Sequence, residues 1–420
     1  MAKWILIFLG GIALGGAFAF FLLMGEGEAP PTPAPAPEKP SWMASKPPAP
    51  EKQEERERDP LIGVIGPETG EEARYGLAVL EGIRMAAERF NGQGGVGGER
   101  IEVIHLDNSG GPGQAHEMAA ELIRRNVVAI FSAPTGSSTF APTQQVNRSK
   151  TIFISVGTRR KIGRSGDYVF RFSLPDATAI GDMLKFAIGE LGYRDFALVT
   201  SSSYDYSLSV SSVFKQAISR GDGQILTEAD TYDTYSGKTN IEGVVSALKS
   251  APKPSQALIF TGGAGEAVLL ARAVKEAGLN LPLIGGEDLF SEEFLEQGGE
   301  AINGALLYAT FSPHSDSPPV VQFVRDYAAR KNAVPDRFAA LAYDAFTLLG
   351  KALKEAGSLK GSEVHGALLN IKKSDGVTGP SGWSPEGTPI KHPFLYRVES
   401  GPAGGKFVLQ QTQGDRKNEN

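Results

Sequence analysis

Few residues of this 420-residue chain are placed for chemistry, and those that are suit holding a solute more than making bonds. Ala133, Pro134, Thr135, Gly136, Ser137, Ser138 and Thr139 lie between an apolar run at 127–131 and a helical pattern that starts at 137. The first N–H groups of a helix have no intrahelical partner, and flanking hydroxyls make such a terminus suited to a carboxylate. The alternative is that Ser137 or Ser138 only caps the helix. Arg159, Arg160 and Lys161 form a basic run. They are either solvated surface cations or, if they face a cleft, the sign of an anionic ligand.

Other patterns carry no chemistry. Gly92, Gly94 and Gly97 spell a dinucleotide fingerprint, but they follow a helix and precede a strand, the reverse of the order that seats a pyrophosphate. Gly262, Gly263 and Gly265 follow a strand yet lack the lysine and hydroxyl of a phosphate loop. There is no GxSxG elbow and no carboxylate or histidine arrangement for acid–base catalysis. His105, His116, His314, His365 and His392 are scattered without metal-ligand spacing, and no cysteine is present. That composition excludes disulfides, a zinc–cysteine site, a cysteine nucleophile and an acylated cysteine. The sequence therefore predicts no catalytic residue, no metal and no cofactor. A formal net charge of −6 and a pI near 5.6 argue against a nucleic-acid partner, which needs a basic face.

These groups must be held by repeated strand–helix units. Leu61–Ile65 is a short apolar run that reads as a buried strand, broken by Gly66, Pro67 and Gly70. From Ala73 the residues Leu77, Leu80, Ile83, Ala87 and Phe90 approximate a 3.6-residue repeat, stopped by Asn91 and the glycines that follow. Residues 101–106 form the next strand. The alternation continues with helices predicted at 114–125, 137–147, 180–191, 208–220, 244–249, 266–277 and 291–298. The matching strands are 127–131, 151–155, 168–173, 195–200, 257–260, 283–286 and 305–308. Helices at 320–331, 338–356 and 361–369, a turn at 379–383 and strands at 394–398 and 406–410 close the chain. Such alternation builds parallel sheets whose ligand crevice lies beyond the carboxyl ends of the strands.

The pattern Gly66, Thr69-Gly70, Tyr75-Gly76, Gly82, Asn91, Gly94-Gly95-Val96, Gly98, Ile101 and Asp107 resembles the opening of the branched-chain amino-acid-binding family of type I periplasmic receptors. The resemblance runs from about residue 60 to 410. It implies an α/β fold of two Rossmann-like lobes joined by three crossover segments. The crossings are expected near 171–175, 308–313 and 377–383, with lobe 1 at 60–174 and 312–376 and lobe 2 at 175–311 and 377–412. It also implies site roles. Ser137, Ser138 and Thr139 match the run that holds a ligand carboxylate. Gly157 and Thr158 match a turn that meets the ammonium group, here one residue shorter. Tyr206 matches an aromatic closing from the second lobe, although Ser207 replaces its glycine neighbour. Glu287 matches an acid that binds the ammonium, where a charge-assisted hydrogen bond is strong, or else is a surface acid. Tyr75 matches a cleft-lining aromatic or is packing. Gly263 stands where the branched-chain binders carry a large aromatic wall, which predicts a roomier pocket.

Ahead of this region, residues 4–24 are an almost uninterrupted apolar run, long enough to span a bilayer. Its length favours an uncleaved transmembrane anchor over a signal peptide, and Lys3 before it with Glu26 and Glu28 after it place the remainder outside the cytoplasm. Residues 26–59 carry nine prolines and almost nothing apolar, the composition of an extended stalk that could reach on the order of 100 Å. Residues 413–420 read as a disordered tail. The expected function is thus an extracytoplasmic, non-enzymatic receptor on the periplasmic side of the inner membrane. It would take an amino acid or related small carboxylated compound and pass it to an ABC permease. The rival is an envelope interaction or sensory module of the same fold.

Overall fold

A computed structural model describes residues 60–158, 165–202, 205–233, 238–401 and 404–410. The expected anchor, stalk, basic run and tail lie outside the described residues. Among those described, no helix is long and apolar enough to cross a membrane.

The chain opens with β1 (Leu61–Ile65), α1 (Ala73–Gly92), β2 (Glu102–Leu106), α2 (Pro112–Arg124), β3 (Ala129–Ser132), α3 (Thr143–Ser149), β4 (Ile152–Val156) and β5 (Val169–Phe172). The five strands form one parallel sheet in the order β2-β1-β3-β4-β5. Its central strands are mainly apolar and almost wholly buried because helices cover both faces.

A second alternating series follows: α4 (Asp176–Gly189), β6 (Asp195–Thr200), α5 (Asp205–Arg220), β7 (Gln224–Asp230), the short antiparallel pair β8 (Tyr232–Asp233) and β9 (Lys238–Thr239), and α6 (Ile241–Lys249). It continues through β10 (Ala257–Thr261), α7 (Ala264–Glu276), β11 (Leu283–Gly285), α8 (Glu292–Gly298) and β12 (Leu306–Ala309). The chain then returns to the first sheet as α9 (Pro318–Lys331), α10 (Arg337–Ala356), α11 (Gly361–Asn370) and the hairpin β13 (Ser381–Trp383) and β14 (Pro389–Lys391). It ends in β15 (Phe394–Gly401) and β16 (Gly404–Gln410). The second sheet has the order β16-β15-β12-β11-β10-β6-β7, with parallel pairings except for the antiparallel β12–β15 and β15–β16 at one edge.

Helix α10 is buried along most of its length and lies against α1. Gly82 makes that approach possible, because a Cβ there would run into the Ala339 carbonyl. Together α1, α10 and the hairpin form one core with the first sheet, while α2 and α3 cover its opposite face.

Two features differ from the sequence reading. The helix expected at 137–147 is two pieces, a 3-10 turn Gly136–Thr139 and then α3, because Pro142 has no N–H to continue the ladder and instead starts the second piece. Residues 377–383, expected as a crossing, are instead packed with the first sheet. Trp383 is fully buried against Phe170 and Phe172, with ring centroids 5.1 and 5.4 Å apart, and Val377 joins the same core. The chain therefore makes its third passage between the sheets at 392–393, after β14.

The hairpin also buries Lys391, which donates to the Thr378 carbonyl and, at 2.7 Å, to the Thr378 hydroxyl. Burial pushes the ammonium down to about 8, opposed by the charges of Asp344 and Glu287. In the unfolded chain the lysine holds its proton up to its ordinary value of about 10.5. Between the two values the unfolded state binds a proton that the folded state has released, so stability from this group rises with pH through that window. The gain is on the order of 3 kcal/mol at the upper end. Urea unfolding of the wild type and of Lys391→Met checks it. The difference between them should change across this interval, and a constant difference contradicts the assignment.

Candidate functional site

Both sheets bring their carboxyl ends to loops that hold the expected site residues. In the first sheet, β3 ends at Ala133 and the 3-10 turn. Ser138 and Thr139 are buried, and their hydroxyls are committed within the protein: Ser138 Oγ donates to the Gly110 carbonyl at 2.5 Å, and Thr139 Oγ1 to the Ala133 carbonyl at 3.1 Å. Of the three expected carboxylate ligands only Ser137 is exposed.

Strand β4 ends at Gly157 and Thr158. Gly157 has φ +72°, and its N–H donates to the Phe172 carbonyl at 2.9 Å. A Cβ there would lie 2.6 Å from Phe338 Cδ1. Gly157→Ala should therefore cost about 2 kcal/mol, from the left-handed backbone and from displaced aromatic packing together. A urea midpoint equal to that of the wild type would contradict it. Thr158 is buried, its carbonyl accepts from Ser173 Oγ at 2.7 Å, and its own hydroxyl has no hydrogen-bond partner among the described residues.

Phe338 links these residues to the opposite side. Its ring meets Tyr75 edge-on at 4.9 Å, and the Arg74 guanidinium lies 4.6 Å from the Tyr75 centroid. The Arg337 guanidinium lies 4.8 Å from the Phe338 centroid and reaches from the start of α10 to the loop after β11. There it bonds Asp288 at 3.2 Å and stands 3.7 Å from Glu287. Glu287 is 6% exposed, and its Oε1 accepts the Thr310 N–H at 2.6 Å. Asp336 caps α10 by accepting from the N–H groups of Phe338 and Ala339, each at 2.9 Å.

Tyr206 stands on α5 of the second sheet. Its hydroxyl donates to Asp176 at 2.7 Å, at the start of α4. Its ring helps to wall a cavity of about 210 Å³ at the carboxyl ends of β10, β11 and β12, with Phe260, Gly263, Gly286, Asp288 and Tyr308. Behind Thr261, which also borders this space, a hydroxyl chain runs through Ser211 to Thr200 with 2.6 Å steps.

The structure thus gathers Tyr75, Gly157 and Glu287 around Arg337 and Phe338, and sets Tyr206 in the wall of the neighbouring cavity. It turns the Ser138 and Thr139 side chains to internal carbonyls. Arg337 and Phe338 escaped the sequence reading. The signal was there in Asp336, a helix-capping residue whose position fixes where the next two side chains emerge.

Known proteins share this fold. A family model described as periplasmic binding protein matches residues 61–405. A Leu/Ile/Val-binding protein homolog of Brucella melitensis is 26% identical over 318 residues, which is 75% of this chain and 84% of the relative. The leucine-, isoleucine-, valine-, threonine-, and alanine-binding protein of Pseudomonas aeruginosa is 26% identical over 310 residues, or 73% and 81%. The crystal structure of a leucine binding protein from Thermotoga maritima superposes with a TM-score of 0.65 at 24% identity, covering 84% of this chain and 99% of that one.

Proposed function

Because the chain belongs to the periplasmic binding protein family, we propose that it is the extracytoplasmic solute receptor of an ABC-type importer. It takes an amino acid or related small carboxylated compound. One observation carries this reading: a partly apolar cavity opens at the carboxyl edge of the second sheet, and Arg337 reaches its rim from a helix of the first. Pockets of this kind, mainly apolar with few convergent polar groups, are the usual form of small-molecule sites.

In this reading the two lobes close about the three passages of chain between them. Tyr75, Ser137, Gly157 and Thr158 approach the solute from one side and Tyr206 and Glu287 from the other. Contacts available only when both sides meet drive the closure. Ser138 and Thr139 serve by shaping the loop that presents Ser137. The amino-terminal apolar run anchors the receptor or directs its export, and the proline-rich segment gives it reach toward an inner-membrane permease. The rival reading, an interaction or sensory module, draws no support from the relatives, which are named for the solutes they bind.

The test is a thermal-shift screen of the full chain in detergent against small carboxylated compounds, amino acids included. A solute at one hundred times its Kd adds about 2.7 kcal/mol of stability. That should raise Tm by several degrees. No shift with any member of the panel would overturn the receptor reading.

A further inference from the structure

We propose that Arg337 is an interlobe latch: through Asp288 and Glu287 it holds part of the empty receptor closed, and so sets solute affinity by the closed population rather than by contact with the solute. This rests on the receptor reading, in which two lobes shut, and names the residues that bias the movement.

The bond crosses between the lobes. Arg337 opens α10, which shares a core with the first sheet, whereas Glu287 and Asp288 lie in the 3-10 turn Glu287–Leu289 that follows β11 of the second. The guanidinium donates to Asp288 Oδ1 at 3.2 Å through Nη2, and its Nε stands 3.7 Å from Glu287 Oε2. A bridge built this way exists only while the lobes are together, and it is formed by residues of this chain alone.

Each end is fixed by its own lobe before the two meet. On the first, the Asp336 cap sets where α10 begins, and the Arg337 guanidinium lies 4.8 Å from the centroid of Phe338, whose ring meets that of Tyr75 at 4.9 Å. On the second, Leu289 is fully buried and Glu287 Oε1 accepts the Thr310 N–H at 2.6 Å. Exposed ion pairs are weak partly because two long side chains must be ordered to make them. Here the surroundings of both partners do much of that ordering. The Arg337 and Asp288 side chains remain 27% and 42% exposed, so salt can still screen the pair. A solute that needs the closed form binds with its intrinsic Kd divided by the closed fraction, so a latch that raises this fraction tightens binding.

Nitroxides at Leu77→Cys on α1 and Leu208→Cys on α5 report the closed fraction. Both residues are exposed near the carboxyl ends of the two sheets, and the chain has no cysteine of its own. Pulsed electron resonance on the full chain in detergent, without solute, gives the ratio of the short distance to the long one. Arg337→Gln should lower that ratio about two- to fivefold, the range of a part-exposed ion pair. Asp288→Asn should lower it less, because Glu287 remains, and should add less in the Arg337→Gln background than alone. Sodium chloride at about 1 M, where the screening length is about 3 Å, should lower the wild-type ratio and leave that of Arg337→Gln unchanged. A ratio unchanged in Arg337→Gln, or two substitutions whose effects simply add, would overturn the latch. Calorimetry with a panel of amino acids and small carboxylates keeps the two readings apart. Any member that binds the wild type should weaken in Arg337→Gln by the factor by which the closed fraction falls, and a larger loss would mean that Arg337 grips the solute, against the proposal. If a member binds and the ratio is the same in Arg337→Gln, the latch falls and the receptor reading stands. If none binds while Arg337→Gln opens the empty chain, the receptor reading falls and the latch stands.

Discussion

Replacing Asp344 by alanine is expected to cost roughly 3–5 kcal/mol, the range for removing one partner of a buried charged network. Asp344 lies inside α10 and is 3% exposed. Its Oδ1 accepts the Val377 N–H at 2.9 Å, and its Oδ2 accepts both the N–H and the hydroxyl of Thr378, at 2.7 and 2.5 Å. Thr378 in turn holds the Lys391 ammonium. Burial pushes the Asp344 carboxyl up, with the Lys391 charge and the Thr378 bonds opposing it. Without it, two backbone N–H groups lose their acceptor in the interior and a buried cation loses its counter-charge. Urea unfolding with an unchanged m-value measures the loss. Adding Lys391→Met to the alanine variant should recover part of it, since the unpaired cation is then gone. A loss under 1 kcal/mol, or no recovery in the double variant, would show that the network does not tie α10 to the hairpin.

Trp383→Ala carries an effect of the same order, about 3–5 kcal/mol, as expected for emptying a large aromatic from a core. The ring is fully buried between Phe170 and Phe172 of β5 and fixes the hairpin beside the third passage. Its indole N–H has no hydrogen-bond partner among the described residues. Trp383→Phe should therefore lose volume but no polar contact, and cost clearly less than alanine. Equal losses in the two variants would mean that the indole nitrogen, not the packing, carries the effect.

Most of the fold could be read from the chain because its strands are buried on both faces. Leu61–Ile65 and Asp195–Thr200 stand out as apolar runs between glycine or proline breaks, and the structure places β1 and β6 at those residues. The resemblance drawn from residues 66–107 is borne out by the family model and the relatives. Strand β7 was not legible. It is an edge strand whose residues are all part-exposed or exposed, so Gln224, Thr227, Glu228 and Asp230 hide its pattern. Strand β14 was hidden by Pro389 and Lys391, and a lysine is rarely buried unless, as here, distant residues partner it. The site divides in the same way. Gly157 and Glu287 follow strand ends, which local sequence marks. Arg337 matters because of Glu287 and Asp288, about fifty positions earlier, and Phe338 because of Tyr75 and Gly157, and only the packing of α10 brings them together.

The central claim is that two lobes shut on a small solute. The chain has no cysteine, so Glu117→Cys on α2 and Glu242→Cys on α6, both exposed, offer a single labelling pair across the two sheets. Single-molecule energy transfer between the dyes, with and without a solute already shown to bind by calorimetry, reports the motion. The account predicts that saturating solute moves the transfer distribution to a new, narrower position; an unchanged distribution in the presence of bound solute would contradict it.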